Sequence, residues 1–234
     1  MCEIVSHRGI VMKKILIVGG TSGLGLALAR FFAKESDTVF ITGRNDPQEK
    51  NVRFFNFYIG PNADELSVDL DSLIGKVGPI DLLIYAAGFE EKGTIDELGD
   101  SSIQKMTNVG FLAPAMMMQR ILRKQGVLNG FIAVTSTSQW IPRLREPVYT
   151  GIKAGTAMLA SSLSLDERIG KVLVVGPSGM NTEFWRSNPR DDLSSLLDPK
   201  WVAEQIMSLY RSNFQYKLVR ILRGPPRIEE LETR

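Results

Sequence analysis

Ile15-Leu16-Ile17-Val18-Gly19-Gly20-Thr21-Ser22-Gly23-Leu24-Gly25 runs from a short apolar stretch into a glycine-rich turn, and a helical pattern through Leu24, Leu28, Phe31 and Phe32 follows. A continuous apolar run of this length suits a parallel strand buried on both faces. Gly19 permits a tight reversal, Gly23 lets backbone approach a pyrophosphate, and Gly25 allows helix and strand to pack closely. The start of the helix then offers amide donors and the positive end of its dipole to a phosphate. A glycine turn alone is a weak signal, because ligand-free reversals use it too. Its position between a strand and a helix gives it weight.

The pattern repeats along the chain. Residues 39–41 read as a second strand, 52–58 as a third and 80–86 as a fourth, introduced by the turn Val77-Gly78-Pro79. A long helix is expected over 101–124. Pro114 inside it cannot donate to the carbonyl of Gly110, so a kink is expected just beyond Asn108. A fifth strand is expected over 131–135, and a helix beginning near Pro147 carries Tyr149, Lys153, Met158 and Leu159. A sixth strand covers 172–175, Asp198 caps a further helix with Pro199 at its first position, and 218–222 closes the sheet. Strands alternating with helices predict a three-layer, doubly wound α/β fold, with a parallel sheet of about seven strands and helices on both faces. The reading is one domain over 13–223, an irregular extension over 1–12 with Met12 as an alternative start, and a tail over 224–234.

Composition narrows the function. The chain has 234 residues, 44% hydrophobic and 23% charged, with 28 Lys+Arg against 26 Asp+Glu. That balance argues against a nucleic-acid or membrane partner. No apolar run reaches the roughly 18 residues a membrane span needs, and no signal-peptide core is evident. The single cysteine, Cys2, excludes an intrachain disulfide and fits a reducing, cytoplasmic setting. The single histidine, His7, makes a cysteine–histidine zinc site implausible, and no metal is expected. A Ser-His-Asp hydrolase would have to use His7, ahead of the first core strand. An acid–base group here is therefore not expected to be histidine.

Tyr149 and Lys153 lie four residues apart, which on a helix stacks them one turn apart on one face. A free phenol has a pKa of about 10, and moving it toward 7 needs roughly 4 kcal/mol of preference for the phenolate. A cation at about 4 Å in an effective dielectric of about 20 supplies that much. The plainer reading is a packed tyrosine and a solvated lysine. The second strand ends in Thr42-Gly43-Arg44-Asn45, where a carboxylate would favour the ribose hydroxyls of NAD(H). Arg44 suits a 2′-phosphate instead and predicts NADP(H) over NAD(H), although Asp46 is close enough to pair with it.

These motifs together, in order and spacing, resemble the short-chain dehydrogenase/reductase family in its compact single-domain form, and so imply a Rossmann fold. The glycine turn resembles that family's Gly-x-x-x-Gly-x-Gly, and Tyr149-x-x-x-Lys153 its catalytic pair. Ser136, thirteen residues before Tyr149, matches its serine, with Ser138 as a rival, and Asn108 matches its helix asparagine. Residues 176–182 resemble its Pro-Gly segment ending in threonine. There are departures: Asn-Asn-Ala-Gly is replaced by Tyr85-Ala86-Ala87-Gly88, the threonine before the first glycine is Val18, and Pro177 is followed by Ser178 before Gly179.

The resemblance implies a hydride transfer between NADP(H) and a small carbonyl or alcohol. Tyr149 would be the acid–base group, Lys153 would lower its pKa and hold the nicotinamide ribose, Ser136 would bind the carbonyl oxygen, and Asn108 would hold a relay water. Cofactor contacts are expected from Gly19, Thr21, Ser22, Gly23, Leu24, Gly25, Arg44, Ala86, Ala87, Gly88, Lys153, Pro177 and Thr182. By spacing, Asn56 is the better candidate for an adenine contact, with Asp64 and Asp69 assigned to the next helix. A homodimer or homotetramer is implied, built on the helices bearing Asn108 and Tyr149. Met116-Met117-Met118 reads as core or subunit contact. Substrate specificity is expected in 89–98, 139–146 and a lid over 183–197, with Trp140, Ile141 and Leu144 lining an apolar pocket or packing beneath a loop. The competing readings are a non-catalytic NADP(H)-binding sensor or scaffold, and a sugar-nucleotide epimerase, for which the chain is short.

Overall fold

The computed structural model describes residues 14–34, 38–184 and 195–234. The apolar run becomes strand β1 (Lys14–Val18), and helix α1 (Gly23–Phe32) opens after the glycine turn. There follow β2 (Thr38–Gly43), β3 (Val52–Asn56), α2 (Ala63–Val77), β4 (Leu82–Tyr85), α3 (Asp100–Thr107), a π-helical turn (Asn108–Leu112) and α4 (Ala113–Gln125). Next come β5 (Leu128–Val134), a short 3-10 turn (Thr137–Gln139), α5 (Pro147–Leu163), β6 (Ile169–Pro177), α6 (Pro199–Arg211), β7 (Tyr216–Leu222) and β8 (Arg227–Thr233).

The strands form one sheet in the order β3-β2-β1-β4-β5-β6-β7-β8. Neighbours run parallel except β7 and β8. Because side chains alternate along a strand, β1 feeds two separate cores. Ile15 and Ile17 pack with Leu28 of α1 and Ile206 of α6, whereas Leu16 and Val18 pack with Leu70 of α2, Ile121 of α4 and Ala160 of α5. These two layers explain the unbroken apolar run, since neither face of β1 meets water. Strand order reverses between β1 and β4, and the loops leaving their C-terminal ends diverge into a crevice. None of the described helices is long and apolar enough to cross a membrane.

Two expectations need correction. Residues 224–234 are not a tail, since β8 makes the sheet eight-stranded and pairs antiparallel with β7, placing Ile221 opposite Ile228. Its sequence, Arg-Ile-Glu-Glu-Leu-Glu-Thr, is too charged to read as a strand. Its glutamates meet the cations of β7 instead: Glu230 lies 3.0 Å from Lys217, and Glu229 pairs with Arg220.

The helix expected over 101–124 is interrupted. Pro114 has no N–H, and the Ala113 N–H donates to the Asn108 carbonyl, five residues back. The Val109 carbonyl accepts from Tyr85 Oη at 2.5 Å, and the Gly110 carbonyl accepts from Thr156 Oγ1 at 2.6 Å. The break predicted from Pro114 is therefore a π-helical turn held by donors from β4 and α5.

Candidate active site

A cavity of about 530 Å³ lies at the C-terminal ends of the strands. Its floor depends on two glycines. Gly19 has a φ of +80°, and a Cβ there would lie 2.7 Å from the backbone of Ala87. A Cβ on Gly25 would lie 2.0 Å from the Gly19 carbonyl oxygen. The turn is thereby pressed against the loop after β4, and α1 against the turn. The N–H groups of Gly19 and Gly20 donate to the Thr42 carbonyl at 3.1 and 2.9 Å, tying the turn to β2.

The helix caps differ in an informative way. Asn62 caps α2 and Asp198 caps α6 with side-chain acceptors. Ser22 makes no such bond at α1, so the first-turn donors are left to other acceptors, and Ser22, Gly23 and Leu24 line the cavity. Thr42 Oγ1 and Ser178 Oγ are buried without a hydrogen-bond partner among the described residues, and both residues line the same cavity. Open amides, orphaned hydroxyls and a glycine floor fit a dinucleotide.

The expected cofactor residues converge. Gly19, Thr21, Ser22, Gly23, Leu24, Gly25, Arg44, Ala86, Ala87, Gly88, Lys153, Pro177 and Thr182 all line the cavity. Thr182 leans over the phosphate turn, where its methyl group would be 3.1 Å from a Cβ on Gly23. The Asp46 carboxylate accepts from the Gln48 N–H at 2.8 Å, so it serves its own turn. Asn56 is not on the cavity wall. Its amide donates to the Arg44 carbonyl at 3.0 Å, bracing two strand ends, and Phe57, Tyr58 and Ile59 form the wall there.

Ser136 and Tyr149 meet at the far end of the cavity, with Lys153 one turn along α5. Both side chains line the cavity, and the Ser136 hydroxyl favours the Tyr149 phenolate. Its rival Ser138 donates instead toward Glu146 Oε2 at 3.4 Å, and Ser136 Oγ is 3.1 Å from Ser138 Oγ. Lys153 Nζ donates to the Val134 carbonyl at 3.2 Å and lies 5.5 Å from the Tyr149 ring centre. Burial lowers the lysine pKa to about 8, opposed by the charge of Glu90.

The Tyr149 phenol is not drawn down toward neutrality, as the sequence led us to expect. Desolvation pushes it up, the charges of Glu90 and Glu146 add to that, and the Ser136 hydroxyl and Arg143 pull the other way. A neutral phenol held in this way is a proton donor. Asn108 is buried behind the cavity rather than on its wall, and its amide donates to the carbonyls of Gly60 and Pro61, each at 2.9 Å.

Other expectations fare unevenly. Trp140, Ile141 and Leu144 do not line the cavity. The absence of a side chain at Gly176 admits the Trp140 ring against β6, where a Cβ would lie 2.6 Å from it, while Ile141 and Leu144 are exposed. Arg145 pairs with Glu97 at 3.1 Å. Met117 and Met118 are core. Of the lid, Glu183 and Phe184 line the cavity, with the Phe184 ring 6.4 Å from that of Tyr149, and residues 185–194 lie outside the described residues. The extension over 1–12 also lies outside them.

Glu90 and Glu146 fall inside the expected specificity segments 89–98 and 139–146 without having been singled out, whereas Lys105 on the wall lay outside them. Lys105 sits 4.0 Å from the ring centre of Phe89, and its place one turn before Asn108 was the available signal. Glu90 follows Gly88 by two residues, a proximity that could have marked it.

Sheet order and cavity define a doubly wound Rossmann fold with an open crevice at its strand ends. Residues 13–193 match the short chain dehydrogenase family, and the chain belongs to it. The short-chain dehydrogenase/reductase prx4 of Penicillium rubens is 30% identical over 162 residues, covering 64% of this chain and 49% of that protein. The chain thus spans about half the length of this curated relative. The ketoacyl reductase HetN of Nostoc is 27% identical, covering 86% of this chain and 76% of its own. Among solved structures, an alcohol dehydrogenase from Thermococcus sibiricus complexed with 5-hydroxy-NADP has a TM-score of 0.76 at 18% identity, covering 91% and 97% of the two chains. BdcA in complex with NADPH has a TM-score of 0.71 at 24% identity, covering 84% and 86%. At these identities the structural matches speak for the fold.

Proposed function

We propose that this chain transfers a hydride between NADP(H) and a small carbonyl or alcohol substrate, with Tyr149 as the general acid–base. The observation that carries this reading is the Tyr149 phenol, sharing the cavity wall with Ser136 and one helical turn from buried Lys153, at the end of a cavity floored by the Gly19 turn. The nicotinamide, when bound, supplies or receives the hydride. Tyr149 gives a proton to the carbonyl oxygen in reduction and takes it back in oxidation. Ser136 donates to the same oxygen and stabilises the charge that develops on it. Lys153 holds the ribose hydroxyls and, once charged, favours the phenolate that forms. Asn108 acts from behind, its amide hydrogens on Gly60 and Pro61 and its oxygen left for a water that relays protons to Lys153.

Arg44 supports NADP(H) over NAD(H), since it stands on the cavity wall at the end of β2 and the nearby Asp46 carboxylate is engaged by Gln48. Exposed Phe111 in the π-helical turn and Met158 on α5 support assembly as a homodimer or homotetramer across that face. A lone cysteine supports a cytoplasmic setting.

Tyr149→Phe should leave NADPH affinity within about twofold and lower turnover by about 10²-fold or more in steady-state assays on ketones, aldehydes and alcohols. Retained turnover would sink the mechanism. Arg44→Asp should raise the KM for NADPH by about tenfold while leaving that for NADH little changed. Comparable Michaelis constants for the two cofactors in the unmodified protein would count against the preference.

A further inference from the structure

Beyond Tyr149 the cavity wall carries two buried carboxyl groups that the hydride transfer does not use. Glu90 lies two residues past Gly88, and Glu146 immediately precedes α5; each is 7% exposed. Glu146 is held by the Ser138 hydroxyl at 3.4 Å, Arg143 at 3.4 Å and Lys92 at 3.8 Å. Glu90 stands on the same cavity wall, and the nearby Glu146 carboxyl favours its protonated form. Burial first, then the Glu146 charge, lift the Glu90 carboxyl to about 7, while Lys92 and Arg143 pull it down. Glu90 thus holds its proton more tightly than an ordinary carboxyl, on the same wall as Tyr149 and Lys153.

A buried carboxylate is costly unless its oxygens find donors. Glu146 has donors of its own, whereas Glu90 has the cavity in front of it. Four kinds of substrate group could face it. An apolar group would leave the carboxylate without a donor, and an anion would set a second negative charge directly against it, also without a donor. An ammonium would gain little, since Arg143, Lys92 and Lys153 already offset the two carboxylates in charge. A neutral hydroxyl supplies a donor and adds no charge.

Building on the reading of Tyr149 as the acid–base, we propose that Glu90 selects a neutral substrate with a hydroxyl group beside the reacting carbon, a hydroxyketone or its diol, and accepts that hydroxyl's hydrogen while the reacting oxygen faces Tyr149 and Ser136.

The test compares matched pairs, 1-hydroxy-2-butanone with 2-butanone for turnover and 2,3-butanediol with 2-butanol for binding. The unmodified enzyme should favour the hydroxylated ketone in kcat/KM by about tenfold or more, rising as pH passes through 7 and Glu90 ionises. In Glu90→Leu that ratio should fall to within about twofold of unity. Glu90→Gln, which keeps the shape and one acceptor oxygen, should retain part of the preference but lose its rise with pH. Calorimetry of the two alcohols with the NADP+ complex of Tyr149→Phe, with and without Glu90→Leu, reads the same contact without turnover. An unchanged ratio in kcat/KM and in binding, in both Glu90 variants, overturns the proposal. A binding preference that depends on Glu90, found together with full turnover by Tyr149→Phe, upholds it and overturns the acid–base assignment instead.

Discussion

Lys153 shows how far one residue's burial is set against its charge. Its pKa is about 8 in the fold, against the ordinary 10.5. Between those values the unfolded chain binds more protons than the folded one, so this lysine makes stability rise with pH from about 8 to 10.5. Below pH 8 its buried charge costs on the order of 3 kcal/mol. Lys153→Met, which also loses the bond to Val134, should gain on the order of 1–2 kcal/mol at pH 7 without cofactor, and the gain should shrink by pH 9.5. Thermal unfolding at both pH values measures it, and a variant less stable at pH 7 would refute the burial argument. Glu90 has the opposite sense. Its carboxyl is raised from 4.5 to about 7, so its contribution to stability is full below 4.5 and is lost as pH rises through 7. Tyr149, Lys153 and Ser136 were legible because their spacing is local to α5 and the end of β5. Glu90 and Glu146 were read only as members of the segments 89–98 and 139–146, and their pairing was not legible, because they are far apart in sequence and come together where the loop after β4 passes the start of α5.

The π-helical turn belongs to the scale of elements. Pro114 announced a break in the helix, and the break is there. Its form depends on Tyr85 and Thr156, whose hydroxyls arrive from β4 and α5 to receive the Val109 and Gly110 carbonyls. No local pattern encodes that pairing. Tyr85 also accounts for one departure from the family's sequence, since it stands where an asparagine was expected and braces the turn with a phenol, kept protonated by burial. Tyr85→Phe leaves a buried carbonyl without its donor and should cost about 1–3 kcal/mol in urea unfolding. Because the turn presents Asn108, the variant should also lose turnover more than it loses cofactor affinity. A variant as stable and active as the parent would show that the clamp is incidental.

At the scale of the whole molecule, the order of strands and helices was legible because the inner parallel strands are buried on both faces and so read as apolar runs, while edge strand β3 is only half-buried and read less clearly. β8 was not legible, since it is held by backbone pairing and by its glutamates against Lys217 and Arg220. Removing residues 224–234 should expose the edge of β7, lower stability and promote edge-to-edge association. Light scattering during thermal unfolding would detect this, and it should be strongest at low salt if the ion pairs matter.

The division of the sheet into two cores has a consequence for how such a molecule can diversify. The phosphate turn leads into α1, anchored in one core, while Tyr149, Lys153 and the π-helical turn are carried by elements of the other. The cores communicate only through the strands between them. Helices on the substrate side can therefore be repacked, tilted or resized by mutation without loosening the grip on the nucleotide, so one inherited handle can serve many successive tools.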